Sequence, residues 1–192
     1  MNYLNKFTQL SESAVNSLYD LIRDMININT TNILEVGTYA GQATVKLCGA
    51  ANEKSQTVQV ISIDDNNDTF SPSAEDSLRA SNFRNYSIQF GDIDKKFEEN
   101  IVKANIIYID RFHEEIDAKI ELIKRNIIVP TKVIFRNPKD SSDFPFDISE
   151  YSPELKPRAR KKSGTDSQSD STTSSTTAST KVITKENKKE TT

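Results

Sequence analysis

Four carboxylates in this chain stand where chemistry on a bound nucleotide would need them. Glu35, Asp64, Asp92 and Asp110 each lie at or beside the end of a short apolar, β-branched run. A carboxylate there can accept hydrogen bonds from ribose hydroxyls, face an amino group or orient a substrate. Beside Glu35 comes Gly37, with Gly41 four residues on; Gly37 permits a tight turn, and Gly41 lets the backbone approach a ligand at the start of a helix. Thr38 and Tyr39 lie between the two glycines and are candidates for lining the same loop, as Asp65 is beside Asp64 and Gly91 beside Asp92. Asp110 is followed by His113, the only histidine, whose ordinary pKa suits a general base near neutrality. Taken singly, each has an ordinary explanation. Asp64 sits in a polar run with Asp65, Asn66, Asn67 and Asp68, Asp92 can be a surface turn, and His113 can be a solvated residue at a helix start. Random acidic loops would not, however, favour one edge at the ends of four successive runs.

The elements that must position these residues follow from hydrophobic periodicity. Ala14, Leu18, Leu21, Ile22 and Met25 recur at helical spacing, with Ser11 or Ser13 as the N-cap. A strand at 32–36 stops at Gly37, and a helix follows over 41–51. Strands at 57–63, 86–90, 105–109 and 132–135 alternate with helices starting near Ser73, over 94–102 and over 113–126. Strands and helices that alternate in this way predict a parallel sheet with helical crossovers. The 105–109 run lacks polar alternation, as a strand covered on both faces does. The fold class expected is α/β, a Rossmann-like, doubly wound, mostly parallel sheet with helices on both faces, in which ligands bind beyond the carboxyl ends of the strands. The glycine spacing is not G-x-G-x-x-G, which disfavours a dinucleotide oxidoreductase.

These residues together resemble a known family. The segment Glu35-Val36-Gly37-Thr38-Tyr39-Ala40-Gly41-Gln42-Ala43-Thr44 is similar to the first motif of class I S-adenosylmethionine (SAM)-dependent methyltransferases, in the branch that holds catechol-type and sugar or macrolide O-methyltransferases. Asp64 falls where that family binds the SAM ribose, Gly91-Asp92 resembles its third-strand pair near the adenine, and Tyr108-Ile109-Asp110-Arg111-Phe112-His113 resembles its fourth-strand motif. The resemblance covers about residues 10–137. It implies S-adenosyl-L-methionine as cofactor, Glu35, Gly37 and Gly41 around its methionine end, Asp110 both contacting the cofactor and orienting a small-molecule acceptor, and His113 removing a hydroxyl proton. Two departures stand out. Arg111 replaces the glycine after the fourth-strand acid. Arg136-Asn137 stands where metal-dependent members carry Asp-Asn, and an arginine there removes an oxygen ligand and adds a repelling charge, so no catalytic metal is expected. The sheet also looks short of the family's last strands, since 144–148 is the only later apolar cluster and Pro145 suits an edge strand at best. These departures keep open a second reading, a catalytically lapsed SAM-binding or scaffold module.

Composition bounds the rest. The net charge is −3, but from Tyr151 onward nine Lys/Arg face five Asp/Glu, +4, which leaves −7 on residues 1–150. An acidic body argues against wrapping a phosphate backbone, so nucleic acid is not expected as its partner. The basic run 156–162 is the one candidate for weak nucleic-acid contact or nuclear import, and equally a solubilising linker. Across 163–180, 13 of 18 residues are Ser or Thr, too polar to offset ordering entropy, and 151–192 is read as a disordered tail after a domain over 1–150. One cysteine, Cys48, builds no disulfide framework and reads as a small buried hydrophobe in a reducing compartment. With no signal peptide and no apolar run of membrane-spanning length, a cytoplasmic protein without a membrane partner is expected. An uncapped sheet edge would favour a homo-oligomer.

Overall fold

The computed structural model describes residues 10–38, 41–65, 71–110, 115–137, 139–153 and 181–182. Helix α1 (Glu12–Met25) starts at Ser11, whose side chain accepts a hydrogen bond from the Ala14 amide at 3.1 Å. It buries Ala14, Val15, Leu18, Ile22 and Met25, the stripe that the helical spacing requires. Then β1 (Asn32–Val36), α2 (Gln42–Lys54), β2 (Gln59–Asp64), α3 (Ser71–Ala80), β3 (Tyr86–Phe90), α4 (Ile93–Ile101), β4 (Ile106–Ile109), α5 (Ile116–Asn126) and β5 (Thr131–Arg136) alternate as expected. The chain ends its described part in β6 (Phe146–Tyr151) and β7 (Lys181–Val182).

The seven strands form one sheet in the order β3-β2-β1-β4-β5-β6-β7. The first five are parallel. Strand β1 pairs with β2 on one side and β4 on the other, so the winding reverses between β1 and β4, where a doubly wound sheet opens its ligand crevice. Side chains alternate between two cores. Ile33, Val60, Ile106, Tyr108 and Ile134 pack with Leu18, Ile22, Leu47, Cys48 and Leu78 from α1, α2 and α3. Leu34, Val36, Ile63, Ile107, Ile109 and Val133 pack with Phe97, Ile101 and Ile123 from α4 and α5. All four residues of β4 are buried, which matches its unbroken apolar run. The buried Lys119 of α5 pairs with Asp94 of α4 and lies 5.6 Å from the Phe97 ring centroid, joining the two helices of the second layer.

The end of the sheet differs from expectation. The sequence reading allowed at best an edge strand over 144–148 and a truncated sheet. Instead β6 follows β5 directly as an antiparallel neighbour, in register from Thr131↔Tyr151 to Arg136↔Phe146. The Asn137 amide donates to the Pro145 carbonyl at 2.8 Å and closes the connection. Pro145 precedes the first residue of β6, so its missing N–H costs no ladder bond. Its sequence supports no more than an edge strand because Phe-Asp-Ile-Ser-Glu-Tyr is half polar, buried fully only at its two ends. Tyr151 therefore closes the domain rather than opening a tail. Two residues of the segment read as disordered, Lys181 and Val182, pair with Glu150 and Ser149 as β7. The rest of that segment, with the basic run and the Ser/Thr tract, lies outside the described residues. Cys48 is fully buried, and burial pushes its thiol well above the ordinary range.

Candidate cofactor and catalytic site

The loop from β1 to α2 is shaped by its glycines. Gly37 has φ 102° and Gly41 φ 79°, both in the left-handed region that side-chain-bearing residues avoid. The Gly37 amide donates to the Ile63 carbonyl of β2 at 2.9 Å, and the Gly41 amide donates to the Thr38 carbonyl at 2.8 Å. Gly41 is the N-cap of α2 and brings no side chain to cap it, so first-turn amides of that helix remain directed at whatever the loop holds. Thr38 is buried, its hydroxyl 2.5 Å from that of Ser62 on β2. Tyr39, which the sequence reading placed in this loop, lies outside the described residues.

Glu35 stands beneath the loop with no exposed surface. The Thr44 hydroxyl of α2 donates to its Oε2 at 2.6 Å, while Oε1 has no hydrogen-bond partner among the described residues. Burial lifts its pKa to about 8. The hydroxyls of Ser62 and Thr44 pull it down, and the charges of Asp110 and Asp64 push it up. Glu35, Asp64 and Asp110 therefore share one electrostatic neighbourhood. They alternate in register with Ile33, Val60 and Ile106, on the sheet face covered by α1 and α2.

Asp64 ends β2 and is buried; its Oδ1 accepts the Asp65 amide at 2.8 Å, and its carbonyl accepts the Gly91 amide at 3.0 Å. Gly91 takes φ 125° in the turn after β3. Asp92 is exposed and caps α4, accepting the Lys95 amide at 3.1 Å. It belongs to the same edge but not to the buried acid group. Asp110 ends β4, its amide donating to the Val36 carbonyl at 3.0 Å. Both its oxygens face Nη1 of Arg136 at the end of β5, at 2.9 and 3.2 Å, and both residues are buried. His113 lies outside the described residues.

Three parts of this site went unread in the sequence. Ser62 and Thr44 are its hydroxyl donors. A serine between Val60 and Asp64 on the same strand face is a readable hint, since an apolar face gains nothing from it; Thr44 stands at the end of the motif that begins at Glu35, but nothing in its spacing marks it as the donor to that acid. Arg136 was legible only as a missing metal ligand, not as the partner of Asp110.

No family model matches the chain, and no curated protein matches its sequence. Solved structures do resemble it. The O-methyltransferase TomG of Streptomyces achromogenes, in complex with SAM, superposes with a TM-score of 0.56 at 16% identity, covering 67% of this chain and 57% of that one. The O-methyltransferase of Bacillus cereus, in complex with SAH, gives 0.57 at 18% identity, covering 70% and 60%. A protein described as a putative caffeoyl-CoA O-methyltransferase of Staphylococcus aureus gives 0.53 at 23% identity, covering 70% and 61%. The fold is that of the SAM-dependent O-methyltransferases. This chain spans about three-fifths of the length of these methyltransferases. Within the methyltransferase fold, the glycine loop, Asp64 and Asp110 occupy the carboxyl edge on both sides of the point where strand order reverses. The donor set does not suit a divalent cation, because a guanidinium stands against both Asp110 oxygens.

Proposed function

We propose that this protein binds S-adenosyl-L-methionine at the carboxyl edge of β1–β4 and transfers its methyl group, without a metal, to an oxygen of a small-molecule acceptor. The observation that carries the reading is the loop with left-handed Gly37 and Gly41, set above a buried acid and beside Asp64 at the end of the neighbouring strand. When bound, the cofactor supplies an electrophilic methyl group, and the protein's task is largely to position it in line with a nucleophile. Glu35, Gly37, Thr38, Tyr39 and Gly41 enclose the methionine end. Asp64, with Asp65, holds the ribose hydroxyls, and Gly91 and Asp92 border the adenine. Asp110, held by Arg136 against both of its oxygens, orients the acceptor. His113 takes the hydroxyl proton. The protein acts in the cytoplasm, and a homo-oligomer joined through the sheet edge is compatible with β7 covering only two residues of β6.

The alternative, a SAM-binding scaffold without catalysis, draws on the same Asp110–Arg136 pair, which engages the carboxylate that an acceptor would otherwise meet. Calorimetric titration of the full chain with SAM and with S-adenosylhomocysteine tests the shared part. Micromolar binding that Asp64→Ala weakens at least tenfold, and that EDTA leaves unchanged, is the expected result. Failure of a folded protein to bind either ligand would remove both cofactor readings. An acceptor screen with His113→Ala then separates enzyme from scaffold, because loss of turnover with SAM affinity intact assigns His113 to catalysis.

A further inference from the structure

The buried group that the fold leaves incomplete is Glu35. It has no exposed surface and lies directly under the loop that the cofactor reading assigns to the methionine end. Among the described residues one oxygen is bonded to Thr44 while the other has no hydrogen-bond partner, the Ser62 hydroxyl being the other hydroxyl acting on it. A carboxylate in that state is costly, since a buried charge needs a partner of opposite sign. The charges around it do not supply one. Asp64 faces it from β2 and Asp110 from β4, both acidic, and Arg136 of β5, the only guanidinium on this face among the described residues, pairs with Asp110. From α2 come the Thr44 hydroxyl and the Cys48 thiol, the latter held neutral by burial, and the buried residues of α1 are all apolar.

We propose that Glu35 is a proton-linked ligand for the positive charge of the cofactor: the empty site holds it as the neutral acid, and binding of the cation drives it to release one proton and pair as the carboxylate. The step balances. The O–H bond of the Glu35 carboxyl breaks, its electron pair stays on the carboxylate, the proton passes to solvent, and the cationic ammonium or sulfonium of the ligand neutralises the charge left behind. The elevated pKa of about 8 is consistent with this, because desolvation is its leading cause and a bound cation removes the reason for it. The inference rests on the cofactor reading above, and its test separates the two.

The full chain is titrated with SAM at pH 7 in two buffers, one of small and one of large ionisation enthalpy. The dependence of the apparent heat on buffer enthalpy counts protons exchanged. Close to one proton released is expected for the native chain and none for Glu35→Gln. Native affinity rises by up to tenfold per pH unit towards pH 8 and then levels, as linkage requires. Should Glu35→Gln fail to fold, difference infrared spectroscopy of the native chain reads the same event, as a protonated-carboxyl band that SAM removes. Binding without proton release, or release that persists in Glu35→Gln, overturns this inference and leaves the cofactor reading standing. No binding by a folded chain overturns both.

Discussion

At the scale of single residues, a buried neutral acid and a buried ion pair govern stability in different ways. Glu35 is lifted from 4.5 to about 8 by burial, so the folded chain keeps a proton that the unfolded chain has lost across that window. Its contribution to stability is therefore fully present below about pH 4.5 and declines as pH rises towards 8, by on the order of 1 kcal/mol per pH unit. Denaturant titrations from pH 5 to 8 should show this decline, and Glu35→Gln should flatten it; equal slopes in both chains would reject a neutral Glu35. Arg136 and Asp110 act as a pair. Arg136→Met strands a buried carboxylate and should cost about 3–5 kcal/mol, whereas Arg136→Met with Asp110→Leu should recover much of that loss. A double-mutant cycle without coupling would show that the two do not stabilise each other. The acids were visible in the sequence because each closes an apolar run. Their partners were not, since Asp110 and Arg136 are 26 residues apart and meet only through the β4–β5 pairing.

At the scale of elements, local chemistry and tertiary fit can be told apart. The strands at Asn32–Val36 and Tyr86–Phe90 stand where the sequence placed them, because Gly37 and Gly91 end both in left-handed turns. Gly41→Ala should cost about 1–2 kcal/mol through backbone strain alone, and should weaken SAM binding as well if the loop holds the cofactor. Asp92 poses a sharper question, since it caps α4 and is also the proposed neighbour of the adenine. Asp92→Ala should lose about 1 kcal/mol of stability, and Asp92→Ser, which caps as well, should restore it. If Asp92→Ser restores SAM affinity as well, the residue serves the helix and not the ligand. The strand β6 shows where periodicity fails. Its partner β5 supplies the apolar contacts, so Phe146–Tyr151 need not carry an apolar run of its own.

At the scale of the whole molecule, the domain boundary is decided by packing rather than by composition. A shift towards polar and basic residues begins near Tyr151, and from composition alone the domain ends one residue earlier. Yet Tyr151 is buried in the core with Phe97 and Ile123, pairs with Thr131 across the sheet, and carries the Lys124 ammonium 5.8 Å from its ring centroid. Beyond it, β7 adds two residues to β6 after a connection of 27, from Glu154 to Thr180. Closing a loop of that length costs about 3 kcal/mol, more than two ladder positions at roughly 1 kcal/mol per hydrogen bond comfortably return. A chain ending at Pro153 should therefore melt within about 2 °C of the full chain. One ending at Ser149 loses Glu150 and the Tyr151 ring, worth roughly 2–3 kcal/mol of burial. At about 2–4 °C per kcal/mol for a domain of this size, its melting point should fall by roughly 5–10 °C. If the chain ending at Pro153 falls as far, β7 and the residues around it contribute packing that two paired residues do not account for, and the tail belongs to the fold.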